Sequence, residues 1–231
     1  MTARHAIYFA PTRSSPWWEF GARWLGRDEC NNMTLVQPLP SQLTAAELHA
    51  MTAEPRRYGF HATLKAPFRL RQGQSVDDLV ARMQALALTL KALPLGPLQA
   101  VKLGDFAALV PLVPTDQLVA LAATCVTSLD ALREPLSAAD LARRNTQRLD
   151  ARGQELLQLY GYPYVLERFR LHFTLTGPVQ VTAAQHVMQA VSAPVALLNL
   201  SAPLLLDRLC LFVEAAPNQP FMRITDVLIP P

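Results

Sequence analysis

Two distant segments of the chain repeat one another. The first is Arg57-Tyr-Gly-Phe-His61-Ala-Thr63-Leu64-Lys65-Ala-Pro67, and the second is Arg168-Phe-Arg-Leu-His172-Phe-Thr174-Leu175-Thr-Gly-Pro178. Both read Arg, aromatic, any, apolar, His, any, Thr, Leu, any, any, Pro. Side chains along a strand alternate between faces, so residues two apart share a face. Read as strands over 57–66 and 168–176, each segment has one apolar face and one polar face. Tyr58, Phe60, Ala62 and Leu64 lie on one side of the first, with Arg57, His61, Thr63 and Lys65 on the other. In the second, Phe169, Leu171, Phe173 and Leu175 oppose Arg168, Arg170, His172, Thr174 and Thr176. A fold containing this repeat must bury two apolar faces and leave two faces of histidine, threonine and cations for another use.

The rest of the chain predicts an α+β architecture. Ser15-Pro16 opens a helix running to Gly26, and Thr44 with Glu47 forms a capping box for another. A periodic helix is expected over 75–91, helical segments over 115–158, and a further helix over 182–192. Strands are expected at 5–10, 97–103, 106–113, 203–214 and 221–228. The order lacks a regular strand–helix–strand alternation, and neither GxGxxG nor GxxxxGK[ST] occurs, which disfavours nucleotide folds built on a glycine-rich loop. Antiparallel pairing is favoured. The 19 prolines in 231 residues suit many short elements.

Composition excludes several classes. With 51% hydrophobic and 17% charged residues, the chain is not disordered. Cys30, Cys125 and Cys210 form no CxxC, so neither a disulfide framework nor a zinc ribbon is expected. A reducing, cytoplasmic location is the simplest expectation. The apolar run at the N-terminus is short for a signal peptide, and no run is expected to span a bilayer. A net charge of +3 does not call for a nucleic-acid or membrane partner.

The polar faces suit a phosphate. Two imidazoles titrating near neutrality can act as general acid and general base. Threonine hydroxyls and cations can hold non-bridging oxygens. Neither polar face bears a carboxylate, so no metal and no cofactor is expected. His5, His49 and His186 lack such surroundings and read as structural. Trp17, Trp18 and Trp24 fall at helical spacing and read as core, and Asp77-Asp78 as a helix N-terminus.

The doubled motif resembles the 2H phosphoesterase superfamily. With Ala6-Ile-Tyr-Phe-Ala-Pro, Trp24-Leu-Gly-Arg-Asp28 and Gly161-Tyr-Pro-Tyr-Val165, it is closer to the branch encoded in bacterial phosphonate-utilisation operons. The resemblance covers nearly the whole chain. It implies a single bilobal domain over 1–231, with two antiparallel sheets facing across a central cleft, helices outside and a pseudo-two-fold axis. It also implies metal-independent hydrolysis or transesterification of a cyclic phosphate or phosphodiester, with His61 and His172 as the acid/base pair and Thr63 and Thr174 holding phosphate. Lys65, Arg57, Arg170, Tyr8 and Tyr162 are the candidate substrate contacts. Arg57 and Arg168 also fit rim salt bridges, and Tyr160, Tyr162 and Tyr164 also fit packing around Pro163. Arg143 and Arg144, with Arg148 and Arg152, read as a solvated basic face or a second phosphate clamp. The expected partner is a small phosphate-ester substrate, and the expected state is a monomer. RNA-end processing and a phosphate-ester binding module without turnover are the alternatives.

Overall fold

A computed structural model describes residues 3–143 and 149–231. The basic pair at Arg143 and Arg144 and the neighbouring Arg148 fall at or outside this limit, so the clamp expected there lies outside the described residues.

Nine strands and their connecting helices follow in chain order. Strand β1 (Arg4–Phe9) leads into helix α1 (Pro16–Leu25). Ser15 caps α1 through its side chain, and Gly26 ends it at φ +77°, a left-handed conformation suited to glycine. Helix α2 (Ala45–Met51) carries the expected capping box of Thr44 and Glu47, and α3 (Ala53–Arg56) follows directly. Then come β2 (Ala62–Phe68), α4 (Val76–Ala87), β3 (Leu93–Pro94), β4 (Leu98–Leu103) and β5 (Phe106–Pro111). Helices α5 (Asp116–Ser128), α6 (Ala138–Arg143) and α7 (Ala151–Tyr160) fill the middle. Strand β6 (Phe173–Thr174), helix α8 (Val181–Ser201) and strands β7 (Leu205–Leu206), β8 (Arg208–Glu214) and β9 (Met222–Leu228) complete the chain.

The expected α+β class with antiparallel pairing is present. The two facing sheets are not. One seven-stranded sheet runs β4-β5-β6-β2-β1-β8-β9, every neighbour antiparallel, and β3 and β7 form a separate two-stranded ribbon. The motif strands β2 and β6 are neighbours in the large sheet. One face of this sheet carries Ile7, Phe9, Ala62, Leu109, Phe173, Leu209 and Leu211. It packs with Trp17 and Trp24 of α1, Leu79 and Met83 of α4, Leu121 and Cys125 of α5, and Val187 and Val191 of α8 into the main core. Ala6, Tyr8, Ala10, Cys210, Phe212 and Phe221 form a second, smaller cluster.

Both motif strands are shorter than predicted. Gly59, at φ +80°, turns the chain before β2, and a 3-10 turn at Leu166–Arg168 does so before β6. Helix α8 is longer than predicted and continues through Pro194, which lies on its exposed side. By length and composition it is the one helix among the described residues apolar enough to cross a membrane, which corrects the expectation of no such run. Its buried stripe, Ala184, Val187, Val191 and Val195, lies on the side that packs against β4 and β5.

Candidate active site

The two motifs meet at their middle residues. Ala62 of β2 pairs directly with Phe173 of β6 in antiparallel register. Extending that register by one residue sets His61 opposite Thr174 and Thr63 opposite His172. Ala62 and Phe173 point into the core, so these four neighbours share the other face. Cross-strand partners have Cβ atoms about 4.5–5.5 Å apart and diagonal ones about 7–8 Å. The two histidines thus occupy one diagonal of a small rectangle and the two threonines the other. This local two-fold arrangement arises within one sheet. All four residues line a cavity of about 440 Å³, together with Arg4, Tyr8, Tyr58 and Tyr162.

Each histidine immediately precedes the first residue of its strand, and each is held the same way. The Nδ1–H of His61 donates to the carbonyl of Gly59 (2.9 Å), and that of His172 to the carbonyl of Arg170 (2.8 Å). A carbonyl only accepts, so both bonds fix the proton on Nδ1 and leave Nε2 for a ligand. Thr63 Oγ1 lies 3.3 Å from His61 Nε2 and donates to it. The Tyr8 ring stacks on His61 with centroids 3.8 Å apart. Burial pushes the His61 imidazole down to about 4, with a smaller push from the neighbouring His172. His172 is also lowered by burial, against the opposing effect of its bond to Arg170. The cavity therefore holds two neutral imidazoles near neutral pH. Burial raises the Tyr8 phenol well above its usual range, so its hydroxyl stays protonated and able to donate.

The structure separates the other expected contacts. Tyr8 and Tyr162 line the cavity. Arg170 lines an adjoining cavity of about 650 Å³ that shares Thr63, Phe106, Tyr162 and His172 with the first. Lys65 lines neither. Opposite residues of an antiparallel pair share a face, and Tyr8 pairs with Thr63 while Ile7 pairs with Lys65. The extra residue, Leu64, forms a bulge that turns Lys65 to the core side. There its Nζ donates to the Val126 carbonyl (3.1 Å) and to Asp130 (3.0 Å). Arg57 lies before β2 and not on a strand face. It bonds to Glu214 and to the Gln219 carbonyl, as the rim-salt-bridge reading expects. Arg168 pairs with Asp150, and Arg152 with Glu155 and Glu167. Among the described residues, no group of three or more His, Cys, Asp or Glu side chains is placed to hold a metal ion.

Sequence reasoning passed over Arg4, Tyr58 and Phe106, all of which line the cavity. Arg4 was legible in principle, because it stands four residues before Tyr8 and on the same strand face.

The family model described as "Protein of unknown function (DUF1045)" matches residues 63–222. The chain belongs to this family. A relative named ribose 1,5-bisphosphate phosphokinase PhnN, from Janthinobacterium sp. (strain Marseille), is 38% identical over 231 residues, covering 95% of this chain and 49% of its own length. A second protein of the same name, from Laribacter hongkongensis (strain HLHK9), is 37% identical over 226 residues, covering 94% of this chain and 50% of its own length. The family member described here thus spans about half the length of these curated relatives.

Proposed function

We propose that the chain is a 2H-type phosphoesterase that opens a cyclic phosphate or phosphodiester of a small phosphorylated sugar or nucleotide by histidine acid/base catalysis without a metal. The carrying observation is the pairing of Ala62 with Phe173, which sets His61, Thr63, His172 and Thr174 on one cavity wall. An anion entering between the imidazoles raises the proton affinity of both. His61 is the more strongly held in its neutral form, so it acts as general base toward water through Nε2 once the Thr63 hydroxyl has turned to the phosphate. His172 borders both cavities and takes up the proton that it later gives to the leaving oxygen. Water adds to phosphorus as the ester P–O bond breaks, and one proton passes from the water to His61 and another from His172 to the leaving oxygen. Thr174, on the other diagonal, donates to a non-bridging oxygen, and Thr63 turns its single O–H from His61 Nε2 to another as phosphate binds.

The relatives' printed name supports a phosphorylated pentose as the substrate type. We assign the kinase activity in that name to the half of those proteins outside the match, because this chain has no GxxxxGK[ST] sequence with which to cradle nucleotide phosphates.

The test is phosphorus NMR with EDTA present, on a panel of 2′,3′-cyclic nucleotides, a 5-phosphoribosyl 1,2-cyclic phosphate and a short RNA with a cyclic end. Ring opening by the wild type is expected, with a loss of about 10²–10⁴-fold in His61→Ala and in His172→Ala. Turnover that survives both substitutions overturns the assignment. Preference for the RNA would favour end processing instead, and wild-type binding without opening would favour the binding module.

A further inference from the structure

The cavity holds a cation that the chemistry above does not use. Arg4 stands at the start of β1, opposite Glu214 of β8. Its Nε donates to Glu214, whose carboxylate is 1% exposed and also takes a bond from Arg57. Glu214 accepts from the backbone N–H of Asn218 as well, at 3.0 Å. One buried carboxylate thus serves two guanidinium groups, leaving a net positive charge at this end of the cavity. Arg57 is turned away, over the rings of Tyr58 and Phe221 and onto Gln219. Arg4 is not. Among the described residues its Nη1 and Nη2 have no protein acceptor, and the side chain lines the cavity while remaining 35% exposed.

Arg4 is also at a useful distance. It shares a strand face with Tyr8, the residue stacked on His61, and four strand residues span about 13 Å between Cα atoms. Tyr8 and Tyr58 line the same cavity as its guanidinium. A cavity of 440 Å³ is large enough for a whole small ligand and far exceeds one phosphate group. The acidic lining residues, Glu54 and Asp105, are exposed on α3 and on the β4–β5 turn. An arginine fixed at Nε by a buried carboxylate, with its end-on Nη1/Nη2 edge free, is preorganised for bidentate binding of an oxyanion.

We infer that Arg4, held by Glu214, is a second anion subsite. It takes a terminal phosphomonoester of a substrate whose other phosphate lies between the histidines. The inference deepens the phosphoesterase reading and rests on it for the position of the first phosphate. It narrows the substrate class to small molecules carrying two phosphates, one of them remote from the reacting centre.

The test compares cytidine 2′,3′-cyclic phosphate with its 5′-phosphorylated counterpart. Wild type is expected to prefer the 5′-phosphorylated compound in kcat/KM by roughly 10- to 100-fold, the worth of a charged hydrogen-bond pair. Arg4→Gln should bring that ratio to about 1, and Arg4→Lys, which keeps the charge without the fork, should leave an intermediate ratio. Thermal melts confirm that each variant is folded. A wild-type ratio near 1, or a ratio unchanged in Arg4→Gln, overturns the subsite. If wild type turns over neither of these compounds and no member of the earlier panel, the hydrolase reading fails separately. Calorimetric binding of the same two compounds then decides the subsite: a preference abolished by Arg4→Gln upholds it, and no preference overturns it.

Discussion

The imidazole of His61 shows how a residue's role depends on its neighbours. The carbonyl of Gly59 fixes the proton on Nδ1, the hydroxyl of Thr63 keeps Nε2 an acceptor, and the ring of Tyr8 shields it from water. His172 has the same carbonyl anchor, but its value is not pushed down as far. In the proposed roles a general base must be unprotonated, so activity is expected to fall as acidification protonates His61 toward pH 4. The proposed general acid must be protonated, so activity is expected to fall as well when pH rises through the depressed value of His172, below the usual 6.5. The kcat/KM profile of the free enzyme is therefore expected to be a bell centred on the acidic side of 6.5. The kcat profile should lie at higher pH, because bound phosphate stabilises the imidazolium. Initial rates from pH 3.5 to 8 check this. A kcat/KM optimum above pH 7.5 would reverse or remove the assigned roles.

At the scale of elements, the Leu64 bulge decides which side chains of β2 face the cavity. Strict alternation puts Lys65 beside His61 and Thr63, whereas the bulge sends it to Asp130 and Val126 on α5 and the turn that follows. Lys65→Met is expected to lower stability by about 1–3 kcal/mol, since it leaves the Val126 carbonyl without its donor while Asp130 keeps Arg133. Urea titration measures that loss, and KM on the preferred substrate should stay within about twofold. A tenfold rise in KM would return Lys65 to the phosphate. This strand also marks how much was legible in advance. The His-x-Thr spacing, the apolar Ala62 and Phe173, the caps of α1 and α2, and the core tryptophans all follow from local rules that the sequence states openly. The bulge, the turn at Gly59 and the Glu214 clamp do not, because each depends on a partner distant in the chain. Glu29 illustrates this for Gly59: a Cβ at position 59 would lie 2.7 Å from the Glu29 side chain. The same reason hid Arg4, whose orientation is set by a carboxylate more than two hundred residues away.

Across the whole molecule, the repeat suggests two halves, yet the packing joins them. β2 from the first half pairs with β6 from the second, and β1 at the N-terminal end pairs with β8 near the other. Helix α1 ties the halves further, with Trp24 Nε1 donating to the Leu175 carbonyl (3.0 Å) and Trp17 Nε1 to the Ala202 carbonyl (2.7 Å). Beneath the motif pair, Phe60 stacks on Phe173 with centroids 4.9 Å apart, and α1 crosses so closely that a Cβ on Gly21 would lie 1.9 Å from the Phe60 ring. A half separated from the other would expose Phe60, Phe173 and Leu175, each costing about 1.5–3 kcal/mol in lost burial. Neither half is therefore expected to be stable on its own, and the chain should unfold in one step. Tryptophan fluorescence reports on α1, where all three tryptophans lie, and far-UV circular dichroism reports on the whole backbone. In guanidinium chloride the two curves are expected to coincide, with activity lost over the same range. A fluorescence transition that precedes the dichroism transition would mean that α1 detaches while the sheet persists. The two histidines would then be held by the β2–β6 pairing without help from the helical layer.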